Sequence, residues 1–245
     1  MESDHYKVLS AKYDEYYRYS DEYIDYFTQK IIQQLPVNDN EAVVEIGAGT
    51  CLFAEELIHR RLDIDMICVD NSDDMLRRNT NRNIRKVFQG AEEFVRQKCR
   101  YDRVYMKEFI HHIDAGSRPD LFRGIYRQLN PGGTVLILVE PQRLNYPLFG
   151  EALRLFQNKQ PSRADLMDDL KHAGFSASFE VISFPIRVSK SDYLDRVRNR
   201  YMSVLEKFSD AELKKGLEEI DRFYPGDQIE YLEIFYSIRG VKNKQ

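Results

Sequence analysis

Glu45, Gly47, Gly49 and Asp70 are the residues whose types and spacing carry the most chemistry in this chain. The stretch from Val43 to Cys51 runs from a β-branched segment into two glycines one residue apart. A helical pattern with Phe53, Ala54, Leu57 and Ile58 on one face follows it. Strand, glycine turn and helix in that order open a nucleotide site in a doubly wound α/β sheet, because backbone without Cβ atoms lets a ligand come close. A dinucleotide site asks for a third glycine three positions after Gly49, so that pyrophosphate rests on the helix N-terminus; Leu52 stands there instead. Glu45 at the strand end adds a carboxylate that repels pyrophosphate. The expected ligand is a nucleoside without phosphates and with a cationic end, which argues against NAD. Asp70 closes the next strand, where a carboxylate accepts hydrogen bonds from ribose hydroxyls; the alternative is a cap for the helix starting near Asp73.

S-adenosylmethionine meets both conditions. The segment also resembles the first motif of the class I S-adenosylmethionine-dependent methyltransferases, an acidic residue followed by Gly-x-Gly-x-Gly. Glu45, Gly47 and Gly49 match it, and Cys51 takes the third glycine's place. The resemblance covers residues 11–140. Gln89 to Phe94 resembles the family segment that receives the adenine amino group and ring; Ala91 and Glu92 match, and Gly90 replaces the usual aspartate. Met75 packs against adenine in this reading, or into the core in the plainer one. Ala48, Asn71 and Lys107 adjoin these positions at the strand ends and complete the implied cofactor contacts together with Tyr13.

Tyr101 to Ile113 resembles the family's fourth strand with its His-His pair beside the transferred methyl. His111 or His112 would take a proton from the acceptor, or else simply fix the loop. Metal is disfavoured, since adjacent histidines are expected to project apart and no third ligand has suitable spacing. Leu129 to Thr134 resembles the family's Leu-x-Pro-Gly-Gly turn, and Glu140 follows at the carboxyl end of a central strand, where ligands bind in open sheets. Lys12 to Ser20 resembles the family's cover over the cofactor. Arg18 is its natural partner for the methionine carboxylate, and tyrosine faces there suit a sulfonium or a cationic substrate.

The elements that must position these residues alternate from residue 41 to about 140. Strands are expected at 42–46, 66–70, 86–89, 103–106 and 134–139, with helices at 51–61, 73–79, 91–98 and 118–129 between them. Helices at 148–157 and 162–172 precede two further strands, 178–188 and 229–238. The predicted fold class is α/β, a doubly wound, mostly parallel seven-stranded sheet. Residues 1–40 form an N-terminal helical cover, 41–188 and 227–240 the core, and 189–226 a helical cap inserted between the last two strands. A continuous helix over 192–208 places Leu194, Val197, Tyr201, Val204 and Phe208 on one face and Arg196 and Arg200 on another. Those arginines are a solvated face or a clamp for a substrate carboxylate. Tyr17, Tyr146 and Tyr201 are expected to line the acceptor pocket with Glu140. The tail 241–245 is expected to be disordered.

Composition narrows the function classes. The net charge is −4 with lysine and arginine dispersed, so no concentrated basic face is offered to nucleic acid. Three cysteines without metal spacing read as reduced thiols in a cytoplasmic protein. No apolar run is long enough to cross a membrane, and no targeting segment is evident. Seven of the sixteen tyrosines fall within the first 26 residues, which calls for a local purpose. The reading is an S-adenosylmethionine-dependent methyltransferase acting on O, N or C of a small polar metabolite, as a monomer or homodimer. The alternative is a catalytically inactive S-adenosylmethionine-binding regulatory or scaffold protein, for which Cys51 and Gly90 are the arguments.

Overall fold

The computed structural model describes residues 13–60 and 63–244. Among the described residues, a short helix, α1 (Tyr13–Tyr17), and a longer one, α2 (Asp21–Gln34), precede β1 (Ala42–Ile46). The alternation then runs α3 (Leu52–Arg60), β2 (Asp65–Asp70), α4 (Asp73–Leu76), β3 (Ile84–Phe88), α5 (Ala91–Phe94), β4 (Tyr101–Lys107), a 3-10 turn (Ile110–His112), α6 (Arg118–Gln128) and β5 (Leu129–Val139). After it come α7 (Gly150–Lys159), α8 (Arg163–His172), β6 (Ser176–Ser189), α9 (Lys190–Arg198), a second 3-10 turn (Ser203–Lys207), α10 (Asp210–Phe223) and β7 (Gln228–Val241).

The sheet order is β3-β2-β1-β4-β5-β7-β6, with the first five strands parallel and β7 antiparallel to both neighbours. The strand order reverses between β1 and β4, so their carboxyl ends open a crevice. Period-two alternation divides the core. Val44, Ile46, Val104 and Met106 face one layer with residues of α5, α6 and α8. Val43, Tyr105, Leu136 and Leu138 face the other, with residues of α2, α3, α7 and the 190–223 helices. Glu45 shares its parity with Val43, so it points into that second layer rather than to the strand end.

The expected strands are all present, and β6 and β7 are longer than the apolar runs suggested. Three expectations need correction. Helices α4 and α5 are single turns, shorter than 73–79 and 91–98. The helix over 192–208 is broken: Asn199 caps α9, Arg200 adopts φ +52°, and the chain resumes as a 3-10 turn. The tail is not free at its start, since Lys242 donates its backbone N–H to Gly133 O at 2.9 Å and its ammonium to Tyr126 O and Leu129 O, each at 2.7 Å. Among the described residues, no helix is long and apolar enough to cross a membrane.

The buried Arg103 ties the start of β4 to the chain before β1, donating from Nη2 to Glu41 Oε1 at 2.7 Å and to Pro36 O at 3.0 Å. Removing one partner of such a pair leaves the other desolvated. Arg103→Leu is expected to lower unfolding free energy by about 2–4 kcal/mol in urea titration; a change below about 0.5 kcal/mol would mean that the pair does not hold these segments together.

Candidate functional site

A cleft of about 210 Å³ opens at the carboxyl ends of β1 to β4. Its floor is the β1–α3 turn. Gly47 and Gly49 have φ +73° and +52°, and a Cβ on Gly47 would come within 2.1 Å of the Phe109 ring. Only glycine fits the first position. Cys51, at the third glycine's place in the motif, also takes a left-handed φ of +61° and is fully buried, so the loop keeps its shape with a thiol in place of hydrogen. Thr50 donates to the carboxylate of Asp14, which pins α1 over this turn.

Asp70 braces the same turn. Its Oδ2 accepts from Gly49 N and its Oδ1 from Ser72 N, each at 2.8 Å, while its carboxylate borders the cleft. The cap of α4 is Ser72, which accepts from Met75 N, so the capping alternative for Asp70 does not hold. Burial raises the Asp70 pKa, partly offset by the N–H donors of Gly49 and Ser72. Asn71, Met75, Ala91 and Glu92 line the same cleft, as do Tyr13, Lys107 and His112. Gln89, Gly90, Glu108 and Phe109 line it too, and the motif reading did not select them. Gly90 has open space around it and an ordinary backbone, so the missing aspartate leaves the segment's course unchanged.

Four expected cofactor residues sit differently. Glu45 is buried beside Tyr105 and Cys68, away from the cleft; burial pushes its pKa up to about 8. It is largely uncharged at neutral pH, so the argument from repulsion of pyrophosphate does not apply. Ala48 is turned into the core against the α2 side of the sheet. Arg18 lies in solvent, bound to Asp21 at 2.8 Å across the first turn of α2, and its fork is spent there. Lys107 borders the cleft, yet its ammonium is bound to Glu108 and lies over the rings of Phe235, Phe53, Phe27 and Tyr23 at 4.6–5.6 Å.

A second, smaller cavity of about 40 Å³ shares Tyr13 and Glu108 with the first. Tyr17, His111, Glu140, Phe156, Lys159, Gln160 and the Met202–Val204 segment complete its walls. The two histidines thus divide, His112 to the large cleft and His111 to the small cavity. Their ring centroids are nonetheless 4.2 Å apart, with the planes tilted at 44°, because the 3-10 turn keeps them together rather than splaying them. Tyr17 stacks on Tyr13 at 4.4 Å and donates to Tyr201 O at 2.8 Å, tying the cover to the 190–223 segment.

The expected arginine clamp is not formed. Arg196 donates to Tyr16 O at 2.8 Å, and Arg200 is held by Asp210 and Phe208 O. The break after Arg198 sends the two guanidinium groups apart. Tyr201 is buried, its hydroxyl 3.1 Å from that of Tyr193, and Tyr146 donates to Glu233 behind the cavity wall. Glu233 is the residue that the motif reading missed most plainly. It occupies an inward position of β7 in phase with Ile229, Tyr231 and Phe235, and a charge at an inward position was the available signal.

Residues 43–133 match the model of a methyltransferase domain. Over that stretch the chain is similar to methyltransferase domains. Within that frame it is 26% identical over 115 residues to a Plasmodium falciparum phosphoethanolamine N-methyltransferase, a match spanning 45% of this chain and 43% of that protein. Its fold is similar to that of Haemonchus contortus phosphoethanolamine N-methyltransferase 2 in complex with S-adenosyl-L-methionine, with a TM-score of 0.56 and 18% identity over 88% of this chain and 51% of that one. A S-adenosylmethionine-dependent methyltransferase from Archaeoglobus fulgidus aligns with a TM-score of 0.58 and 17% identity over 94% and 97% of the two chains. The chain therefore spans about half the length of the Plasmodium and Haemonchus proteins. The fold is the Rossmann-like one of class I methyltransferases.

The raised Glu45 pKa fixes a direction of pH dependence. A carboxyl whose pKa rises from 4.5 unfolded to about 8 folded contributes stability that is complete below pH 4.5 and is lost as pH climbs to about 8. The stability gap between wild type and Glu45→Gln should shift against wild type by up to about 1.4 kcal/mol per pH unit between pH 5 and 8. Urea titrations giving a constant gap across that range would place the Glu45 pKa near its ordinary value.

Proposed function

We propose that this protein transfers the methyl group of S-adenosylmethionine to a small polar molecule. One observation carries the reading: Asp70 stands in the cleft with each oxygen already accepting one backbone N–H and a lone pair left on each for a ribose diol. The rest of the cleft fits the same nucleoside. Met75 and Ala91 offer apolar surface for adenine, Gln89 to Glu92 its polar edge, and the glycine floor admits the ligand backbone-close. The sulfonium supplies an activated methyl group, so the protein's work is placement. Tyr13 and Glu108 stand where the two cavities meet, and they orient an acceptor towards the cleft while α1 and the 202–204 segment exclude water. His111, on the small cavity, is placed to orient the acceptor or take its proton, and His112 lines the cleft near Asp70.

Residues 189–226 are the cap in this reading and residues before 41 the cover, joined by Tyr17, Arg196 and the tyrosine cluster around Tyr201. The names of the Plasmodium and Haemonchus relatives support a small-molecule acceptor.

Titration calorimetry tests this directly. S-adenosylhomocysteine should bind saturably and NADH should not. Asp70→Asn, which loses the charge and one of the two acceptors that brace the turn, should weaken the nucleoside roughly ten-fold or more. Tight NADH binding with no heat from the sulfur nucleoside would overturn the proposal. An equally active methyl-transfer assay with His111→Ala would show that placement alone suffices; if His111 is the base, turnover should fall by about 10²–10⁴ with nucleoside affinity unchanged.

A further inference from the structure

The small cavity has an unusual electrostatic make-up. Carboxylate oxygens of Glu108, Glu140 and Glu233 lie within 4.8 Å of one another, and Glu140 and Glu233 are 2% and 1% exposed. Among the described residues, Lys107 is the cation within the cluster, bound to Glu108 and boxed by four aromatic rings, while Lys159 lines the cavity wall. Glu233 Oε1 accepts from Tyr146, but among the described residues Oε2 of Glu233 and Oε2 of Glu140 have no hydrogen-bond partner. Both side-chain amide atoms of Gln160, a residue 2% exposed, likewise have none among the described residues. Glu140 and Gln160 both line the cavity. Buried polar groups are ordinarily satisfied, and buried charges are paired, because leaving them otherwise costs several kcal/mol. Glu108 also adopts a left-handed φ of +54°, a backbone strain of the kind that collects at binding sites.

We infer that this cavity seats an ammonium group between Glu140, Glu108 and the Gln160 amide oxygen, so that the methyl acceptor is a small organic amine. The inference rests on the reading of the adjoining cleft as the site of the sulfonium nucleoside. The aromatic walls fit the same guest. Tyr17 and Phe156 present ring surface to the cavity, and a cation gains from such faces once water is excluded. The cavity, of about 40 Å³, is small enough to favour a compact headgroup. A divalent ion is the other cation that carboxylates invite. Here Lys107 already occupies one side of the cluster, and rings and methionine line much of the remainder, where a hard ion needs six or more oxygens.

The chemistry balances. A protonated amine has no electron pair to give, so its N–H proton first passes to Glu140 Oε2. Burial and the two neighbouring glutamates raise that carboxyl's pKa well above the ordinary range, which suits it to hold the proton. The freed nitrogen pair then forms the new N–C bond to the methyl carbon, and the electron pair of the broken C–S bond stays on sulfur. The product nitrogen carries the positive charge beside a Glu140 that is now a neutral acid, so the pairing that seated the substrate is weakened; release of the product and loss of the Glu140 proton to solvent return the cavity to its starting state.

The experiment is calorimetric titration of the whole chain, with and without saturating S-adenosylhomocysteine. The probes are ethanolamine, its phosphate ester, 2-(dimethylamino)ethanol and 1,4-diaminobutane, each beside a neutral isostere such as ethylene glycol, together with manganese chloride. At least one amine should bind saturably while the isosteres do not. Glu140→Gln should weaken that amine roughly ten-fold or more and leave S-adenosylhomocysteine affinity unchanged. Gln160→Leu, a substitution without loss of charge, should weaken it less; it serves as the second variant if Glu140→Gln fails to fold by circular dichroism. Absence of saturable binding by all four amines, in protein that still binds S-adenosylhomocysteine, overturns the inference and leaves the proposed methyl transfer standing. Manganese binding that Glu140→Gln abolishes and amines do not displace overturns it in favour of a metal. Failure of S-adenosylhomocysteine itself to bind removes the underlying reading, and the inference falls with it.

Discussion

Three carboxylates gathered around one ammonium, in a place water barely reaches, set the terms for much of this structure. Glu108, Glu140 and Glu233 come from the ends of β4 and β5 and from the inward face of β7, so the cluster exists only when the antiparallel strand has docked beside β5. Such a group is costly to desolvate unless its charges are paired or protonated. Burial and the mutual repulsion of the three push Glu140 well above the usual carboxyl range and bring Glu233 to about 8. The protein tolerates the cost by walling the cluster with aromatic rings and by adding one buried lysine. That accounts for the abundance of tyrosine near the N-terminus. Tyr19 and Tyr23 lie close enough to Glu233 for its charge to raise their pKa values further, and Tyr13 and Tyr17 face the cavity itself.

The same constraint explains how the cover and the 190–223 segment are joined. They meet through single directed contacts, Tyr17 to the Tyr201 carbonyl and Arg196 to the Tyr16 carbonyl, above a stack of tyrosine edges and faces. Neutral hydroxyls and rings can sit beside buried carboxylates, where a second layer of charge would add to the desolvation. Arg196 of α9 fastens the cover, and Arg200, in the turn after that helix, is held by Asp210.

The fold was legible because its signals are local. Buried parallel strands are short apolar runs, and Gly47, Gly49 and the Asn130–Gly133 turn mark where the chain must bend. The cleft was legible for the same reason, since its lining residues Asp70, Met75, Ala91 and Glu92 each lie at or just beyond a strand end. Glu45 and Ala48 were misplaced because a strand's parity, and a loop's tilt, decide which layer a side chain enters. Arg18 and Arg200 were misplaced because a single left-handed residue, Tyr19 or Arg200 itself, redirects everything around it. The acceptor side was scarcely legible. Glu233 lies 125 residues beyond Glu108 in the chain, and only the antiparallel return of β7 brings them together.

The central claim is that the crevice between β1 and β4 holds a sulfur nucleoside whose reactive end points at the Tyr13–Glu108 boundary between the two cavities. A crystal structure of the chain with S-adenosylhomocysteine tests this in one measurement. The account predicts both ribose hydroxyls on Asp70, adenine against Met75 and Ala91, and the sulfur directed at the cavity bounded by Glu140 and His111. A nucleoside seated elsewhere, or one bound here with its sulfur turned away from that cavity, would contradict it.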